Sequence, residues 1–167
     1  MLLRVIYINI VIFMKRILPI ISFVIISLAV GYVSKLIQEP SMQEWYPVLA
    51  KSSLNPPGIV FAIVWPVLYV LMGVSAGILW SIRSIYTWLT MLLFFAQLGL
   101  NFVWSVTFFA FRSPLLGFLV LILLFVAVLL YATAAFLQNR TAAFLNVPYL
   151  LWLLFAMYLN GYVLMFN

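Results

Sequence analysis

Residues 17–37 read ILPIISFVIISLAVGYVSKLI, an apolar stretch interrupted by Ser, Gly and Tyr and carrying Lys35 near its end. A helix that crosses a bilayer needs about 20 apolar residues, and this stretch has that length. Lys15 and Arg16 precede it, as expected at the flank of a membrane span. A cleaved signal peptide is disfavoured, because the apolar run is too long and no A-x-A site follows it. The stretch predicts the first transmembrane helix.

The composition extends this conclusion to the whole chain. Of the 167 residues, 69% are hydrophobic and 6% are charged, whereas soluble domains are about 45–50% apolar and about 25% charged. At roughly 20 residues per span, there is room for about five spans with short loops. We therefore predict an all-α integral membrane protein, a five-transmembrane-helix bundle without a separate soluble domain.

The first sixteen residues stand apart from this bundle. Ten residues separate Arg4 from Lys15, about half the length of a crossing helix. Residues 1–16 are therefore predicted to be an extension, either an upstream start before Met14 or an interfacial segment. Residues 17–167 are predicted to form the transmembrane domain.

Caps, prolines and apolar runs divide that domain. Helices are predicted at about 17–37, 56–81, 87–110, 114–138 and 142–166, with a long loop over residues 38–55. Asn55 before Pro56 and Ser113 before Pro114 are typical helix starts. Pro66 and Pro148 fall inside predicted helices, where a proline favours a kink.

The charged residues set the expected orientation and exclude much chemistry. Five cationic residues near helix ends lie on the amino-terminal side of the membrane: Arg4, Lys15, Arg16, Arg83 and Arg140. Three lie on the other side: Lys35, Lys51 and Arg112. This excess predicts a cytoplasmic amino terminus. The chain has no His, Cys or Asp, which excludes Ser-His-Asp catalysis, zinc sites and disulfides. The cations are scattered singly, so no nucleic-acid partner is expected.

Aromatic and amide residues indicate a possible cavity inside the bundle. Trp80 and Trp88 flank Arg83 and suit an interfacial belt, whereas three other tryptophans lie deeper in their helices: Trp65, Trp104 and Trp152. On helix three, polar side chains recur beside Trp104 at helical spacing, namely Gln97, Asn101 and Ser105, with Phe108 on the same face. On helix five, Trp152, Ala156 and Asn160 repeat that spacing, with a small residue between an aromatic and an amide. Two hypotheses remain open, interhelical hydrogen bonds that hold the bundle or a pocket for a flat apolar ligand.

Helix two carries a second packing signal, the GxxxG match from Gly73 to Gly77. Such a motif lets two helix backbones approach closely. Its partner is either a helix of the same chain or a second copy, which would make a homodimer.

The ordered motifs resemble a known family. They are Trp45-Tyr46, Lys51, Asn55-Pro56-Pro57-Gly58, Val60-Phe61, Trp65, Leu68-Tyr69, Leu100-Asn101, Trp104, Phe108-Phe109, Val147-Pro148-Tyr149-Leu150, Trp152, Ala156 and Leu159-Asn160. Across residues 17–167 this set is similar to the TspO/MBR family of tryptophan-rich sensory proteins and translocator proteins, the peripheral-type benzodiazepine receptors.

The resemblance implies a cavity under the first loop that binds porphyrins, haem and other flat hydrophobic ligands. The ligand-binding residues expected from the resemblance and the spacing together are Tyr46, Trp65, Tyr69, Asn101, Trp104, Phe108, Trp152, Ala156 and Asn160. No cofactor is expected to be required, and porphyrin or haem would be the ligand. No sterol motif follows Arg140, so sterol binding is not predicted.

The expected function is a receptor, sensor or carrier for tetrapyrroles in a bacterial cell membrane. The alternative implied by the resemblance is an enzyme that degrades porphyrin with light and oxygen, with Trp65 and Trp152 as its redox-active residues. A transporter ranks lower, because no inverted repeat or buried ionisable residue marks a pathway.

Overall fold

A computed structural model describes the backbone of residues 2–167 and the side chains from Phe13 onward. This part of the chain is helical, without a β-strand. Six helices are present: α1 (Leu2–Glu44), α2 (Gly58–Ile82), α3 (Thr87–Ser105), α4 (Pro114–Phe136), α5 (Arg140–Phe144) and α6 (Val147–Phe166). Five helical spans are long and apolar enough to cross a membrane, with α5 and α6 together forming the fifth. The predicted all-α membrane bundle is confirmed.

The first helix is longer than the sequence predicted at both ends. It continues without a break through residue 16, where the extension was expected to end, and the side chains of residues 1–12 lie outside those described. At its other end it continues from residue 37 to Glu44, so residues 38–44 are helical rather than part of the loop. Two tertiary hydrogen bonds hold this extension, from Gln38 Nε2 to Ser105 Oγ (2.8 Å) and from Ser41 Oγ to the Phe109 carbonyl (2.6 Å).

The start signals of the second and fourth helices differ in outcome. Ser113 caps α4 as predicted, with its side chain accepting a hydrogen bond from the Leu116 N–H at 3.4 Å. Asn55 was predicted to cap α2, but the cap is Pro57. The Asn55 side chain accepts a hydrogen bond from the Tyr46 hydroxyl at 2.8 Å instead, so it organises the loop rather than the helix.

Two helices depart from regular α geometry. After Ser105, α3 continues as a π-helical segment over Val106–Ala110, a distortion that often accompanies functional sites. The fifth span breaks between α5 and α6, and Pro148 lies in the first turn of α6 rather than inside a helix. At this break the Ala142 carbonyl accepts hydrogen bonds from the Asn146 amide (2.9 Å) and the Ser75 hydroxyl (2.7 Å). Helix α2, by contrast, is continuous through Pro66.

The GxxxG motif packs within the chain. A Cβ added to Gly73 would overlap the backbone of Val24, and one added to Gly77 would overlap the backbone of Ile20. Both contacts are with α1, so the close approach that glycine allows is used between α1 and α2. A homodimer through Gly73 and Gly77 would require α1 to leave its place, and these residues therefore do not support the dimer prediction.

Candidate ligand site

The three deep tryptophans meet in one aromatic cluster. The Trp65 ring on α2 stacks on Trp104 of α3, with centroids 5.9 Å apart, and meets the edge of Trp152 of α6 at 6.4 Å. By contrast, the side chains of Trp80 and Trp88 are 47% and 79% exposed, as expected for an interfacial belt. The three tryptophans predicted to lie deeper thus pack against one another, while their depth in the membrane stays a prediction.

An inner cavity of about 190 Å³ lies beside this cluster, under the loop and between α2, α3 and α6. Seven of the nine predicted ligand residues line it: Tyr46, Trp65, Trp104, Phe108, Trp152, Ala156 and Asn160. Seven of its sixteen lining residues are aromatic, more than of any other kind.

A lateral cavity of about 640 Å³ adjoins the inner one, between α1, α2 and α3. It is lined by the other two predicted residues, Tyr69 and Asn101. The two cavities share six residues: Gln38, Met42, Gly58, Phe61, Trp65 and Trp104. Drug-sized ligand pockets have volumes of about 300–1,000 Å³, so the lateral cavity brings the combined space into that range.

Asn101 is committed to hydrogen bonds that hold the bundle. The Tyr69 hydroxyl donates to Asn101 Oδ1 at 2.5 Å, and Asn101 Nδ2 donates to the Tyr149 hydroxyl at 2.8 Å. This residue therefore fits the bundle-holding hypothesis, although it borders the lateral cavity. Gln97, one turn earlier, is fully buried, and neither of its amide atoms has a partner among the described residues.

Three polar atoms of residues that line the inner cavity are buried without a hydrogen-bond partner among the described residues. Trp104 Nε1 and Trp152 Nε1 are buried and have no partner among the described residues. Asn160 donates to the Pro114 carbonyl at 2.9 Å, while its Oδ1 has no such partner. A buried indole N–H favours an acceptor, so the site combines aromatic faces with two donors.

Lys51 stabilises the conformation of the loop through hydrogen bonds to backbone carbonyls of the same loop. Its ammonium donates to the carbonyl oxygens of Tyr46 (2.7 Å), Pro47 (3.0 Å) and Leu49 (3.2 Å). It also lies 5.0 Å from the centre of the Tyr46 ring, a cation–π contact. Burial raises the pKa of the Tyr46 phenol above its ordinary value, and the hydrogen bond with Asn55 opposes part of that rise. Tyr46 therefore stays a protonated donor at neutral pH.

The loop is also fastened to α6. The Asn167 side chain accepts from the Ala50 N–H at 2.9 Å and donates to the Ala50 carbonyl at 3.2 Å. The hydroxyls of Ser52 and Tyr158 are 2.8 Å apart. These contacts close the loop over the inner cavity.

Four of the six residues that line both cavities were not predicted from the sequence: Gln38, Met42, Gly58 and Phe61. Gln38 and Met42 were assigned to the loop, and the extension of α1 places them on both cavities. Phe61 lies one turn before Trp65 on α2, and its ring meets the edge of Trp152 at 5.6 Å. The spacing of four from Trp65 was a usable signal for Phe61.

Comparison with known proteins agrees with this geometry. The sequence profile of the TspO/MBR family matches residues 23–165. The chain belongs to the TspO/MBR family. It is 34% identical to the tryptophan-rich protein TspO of Archaeoglobus fulgidus over 152 residues, covering 91% of this chain and 99% of that protein. The tryptophan-rich protein TspO of Chlorobaculum tepidum is also 34% identical, with coverage of 92% and 98%. The human translocator protein is 36% identical, over 70% of each chain.

The family match extends the resemblance from separate motifs to nearly the whole transmembrane region. The matched range begins within the first membrane-spanning region, ends within the fifth, and includes the loop and the three spans between them. The chain is therefore a multi-pass membrane protein of this family.

Proposed function

We propose that this TspO/MBR protein is a membrane receptor, sensor or carrier that binds tetrapyrroles such as protoporphyrin IX. The observation that carries the proposal is the joining of two cavities at Trp65 and Trp104. A flat macrocycle can stack against these rings while the loop closes over it.

The side chains that could ligate haem iron are few, which favours metal-free porphyrin over haem. The sequence has no His or Cys, which are the usual strong axial ligands of haem iron together with Met and Tyr. Tyr46 is held as a hydrogen-bond donor to Asn55, and Met42 is the thioether at both cavities. We therefore expect protoporphyrin IX to bind at least as tightly as haem.

The test is a fluorescence titration of the purified protein in nanodiscs with protoporphyrin IX and with haem. Trp65→Leu is expected to weaken the binding of protoporphyrin IX by about tenfold or more, because one stacked aromatic pair and its buried area contribute roughly 1.5 kcal/mol or more to the binding free energy. Trp88→Leu, on an exposed ring, is the matched control and should leave the affinity unchanged. Equal affinities in wild type and Trp65→Leu, or haem binding far tighter with a six-coordinate low-spin spectrum, would contradict the proposal.

A second candidate is light- and oxygen-dependent porphyrin breakdown. The observation that favours it is the contact of Trp65 with Trp152, since both indoles border the inner cavity and their centroids are 6.4 Å apart. Such radical chemistry relies on the pigment and dioxygen rather than on acid–base residues.

Illumination of the protoporphyrin complex in air tests this candidate. Breakdown should slow in the Trp65→Phe, Trp152→Phe double variant and stay fast in a Trp80→Phe, Trp88→Phe control. Equal rates in both variants, corrected for bound pigment, would leave binding without catalysis.

A further inference from the structure

Two charged residues of opposite sign line the lateral cavity, and the aromatic site uses neither. Lys35 and Glu39 both border it, one helical turn apart on α1. The ion pair found among the described residues joins Glu44 to Arg112 at 2.9 Å, and no ion pair or hydrogen bond involves Lys35 there. The ammonium of Lys35 is therefore available to an anion.

Lys35 lies at the depth of a membrane interface. It follows Lys15 by 20 residues, about 30 Å along a helix at 1.5 Å per residue. That length equals the hydrocarbon thickness of a typical bilayer, about 30 Å. The lysine is exposed on α1, where its charge remains hydrated until a ligand arrives.

The packing of α1 against α2 brings Lys35 and the aromatic cluster to the same cavity. Gly31 lies directly against the Tyr69 ring, close enough that an added Cβ would overlap it. Lys35 follows Gly31 by one turn on α1, and Trp65 precedes Tyr69 by one turn on α2. Both Lys35 and Trp65 line the lateral cavity.

A second donor accompanies the lysine. Ser34 borders the same cavity and is 2% exposed. Its hydroxyl lies near the Tyr69 hydroxyl, but no described residue is within hydrogen-bond distance and angle of it. A hydroxyl donor beside an ammonium is suited to a carboxylate, which accepts several hydrogen bonds. The opposing charge at the cavity is Glu39, which repels an anion.

We propose that the lateral cavity binds the carboxylate arms of the ligand, with Lys35 as the ion-pair partner and Ser34 as a donor. The macrocycle then lies against Trp65 and Trp104, with its apolar edge toward the inner cavity. This inference rests on the proposed tetrapyrrole binding and deepens it, since it predicts selectivity for flat ligands that carry a carboxylate.

The test compares protoporphyrin IX with its dimethyl ester, which has the same macrocycle without carboxylates. Dissociation constants are measured in nanodiscs of phosphatidylcholine at low ionic strength. Lys35→Gln is expected to weaken the binding of protoporphyrin IX about three- to fivefold, which corresponds to the loss of one partly hydrated ion pair. The affinity for the ester should stay unchanged. Glu39→Gln should tighten protoporphyrin IX, and Lys15→Gln, at the other end of α1, should change neither ligand.

The remaining outcomes separate this inference from the proposed function. Binding of both ligands with no effect of Lys35→Gln, or an equal loss of both, would overturn the role of Lys35 alone. A wild-type protein that binds neither ligand would overturn the proposed function and this inference together. Weaker binding of protoporphyrin IX to Glu39→Gln would also overturn this inference, because removing a repelling charge cannot weaken the binding of an anion.

Discussion

The ring of Trp65 stacks on that of Trp104 with centroids 5.9 Å apart and an interplanar angle of 28°. Trp104 in turn stacks on Phe108 at 5.8 Å and 17°. The three rings form a ladder between α2 and the end of α3, and both cavities border Trp65 and Trp104.

The Tyr69–Asn101–Tyr149 hydrogen-bond chain should stabilise the bundle more than the buried amide of Gln97 does. Asn101→Leu leaves two phenols without their partner and is expected to cost about 1–3 kcal/mol. Gln97→Leu is the matched control, because its amide atoms have no partner among the described residues, and it should be neutral or stabilising. Thermal unfolding in detergent measures both. A loss no greater for Asn101→Leu than for Gln97→Leu would show that the chain contributes nothing.

Close packing of α1 on α2 should depend on Gly73. An alanine there meets the backbone of Val24, and such overpacking costs roughly 1–3 kcal/mol. Gly99→Ala on α3 meets nothing within 4 Å and should be neutral or stabilising by about 0.5–1 kcal/mol. The midpoints of thermal unfolding distinguish the two variants. Equal midpoints would contradict the observed α1–α2 contact.

The loop fastening should control access to the inner cavity. Asn167→Ala combined with Tyr158→Phe removes the side-chain bonds to Ala50 and Ser52. Each of these hydrogen bonds contributes about 1 kcal/mol to keeping the loop closed. Their loss should make trypsin cleavage after Lys51 about fivefold faster or more. Thr133→Ala, which loses a bond within its own helix, is the control. Unchanged cleavage would mean that other contacts hold the loop closed.

The Tyr46–Asn55 hydrogen bond should persist through neutral pH. Because burial raises the pKa of Tyr46, its stabilising effect is complete below the ordinary phenol pKa of about 10 and is lost as the pH rises through the raised value. The tyrosinate absorbance of wild type minus that of Tyr46→Phe isolates the titration of this residue. Ionisation of Tyr46 at or below the ordinary phenol pKa of about 10 would disprove the buried environment.

Much of the bundle could be predicted from the sequence, because hydropathy and helix length alone define five spans. The depth of Trp65, Trp104 and Trp152 within those spans likewise predicted that they face the interior. What escaped prediction depends on contacts between distant residues. The extension of α1 relies on Ser41 bonding to Phe109, and the loop fastening joins Ala50 to Asn167.

The lateral cavity escaped prediction for the same reason. It exists because the register of α1 against α2 and α3 leaves space beside Trp65, and no periodicity within a single helix encodes that register. The π-helical segment after Ser105 also has no sequence signal that we can identify.

The most direct test of ligand binding between α2, α3 and α6 is the dissociation constant of protoporphyrin IX for Ala156→Thr. Ala156 borders the inner cavity, and a branched side chain there overpacks the site by about 1–3 kcal/mol. The added hydroxyl can bond to the Trp152 carbonyl, so thermal stability should be retained. Ala96→Thr, at an exposed position of α3, is the control.

The predicted result is affinity weakened about tenfold or more in Ala156→Thr and unchanged in Ala96→Thr. A stable Ala156→Thr protein that binds protoporphyrin IX as tightly as wild type would contradict the placement of the ligand in this cavity.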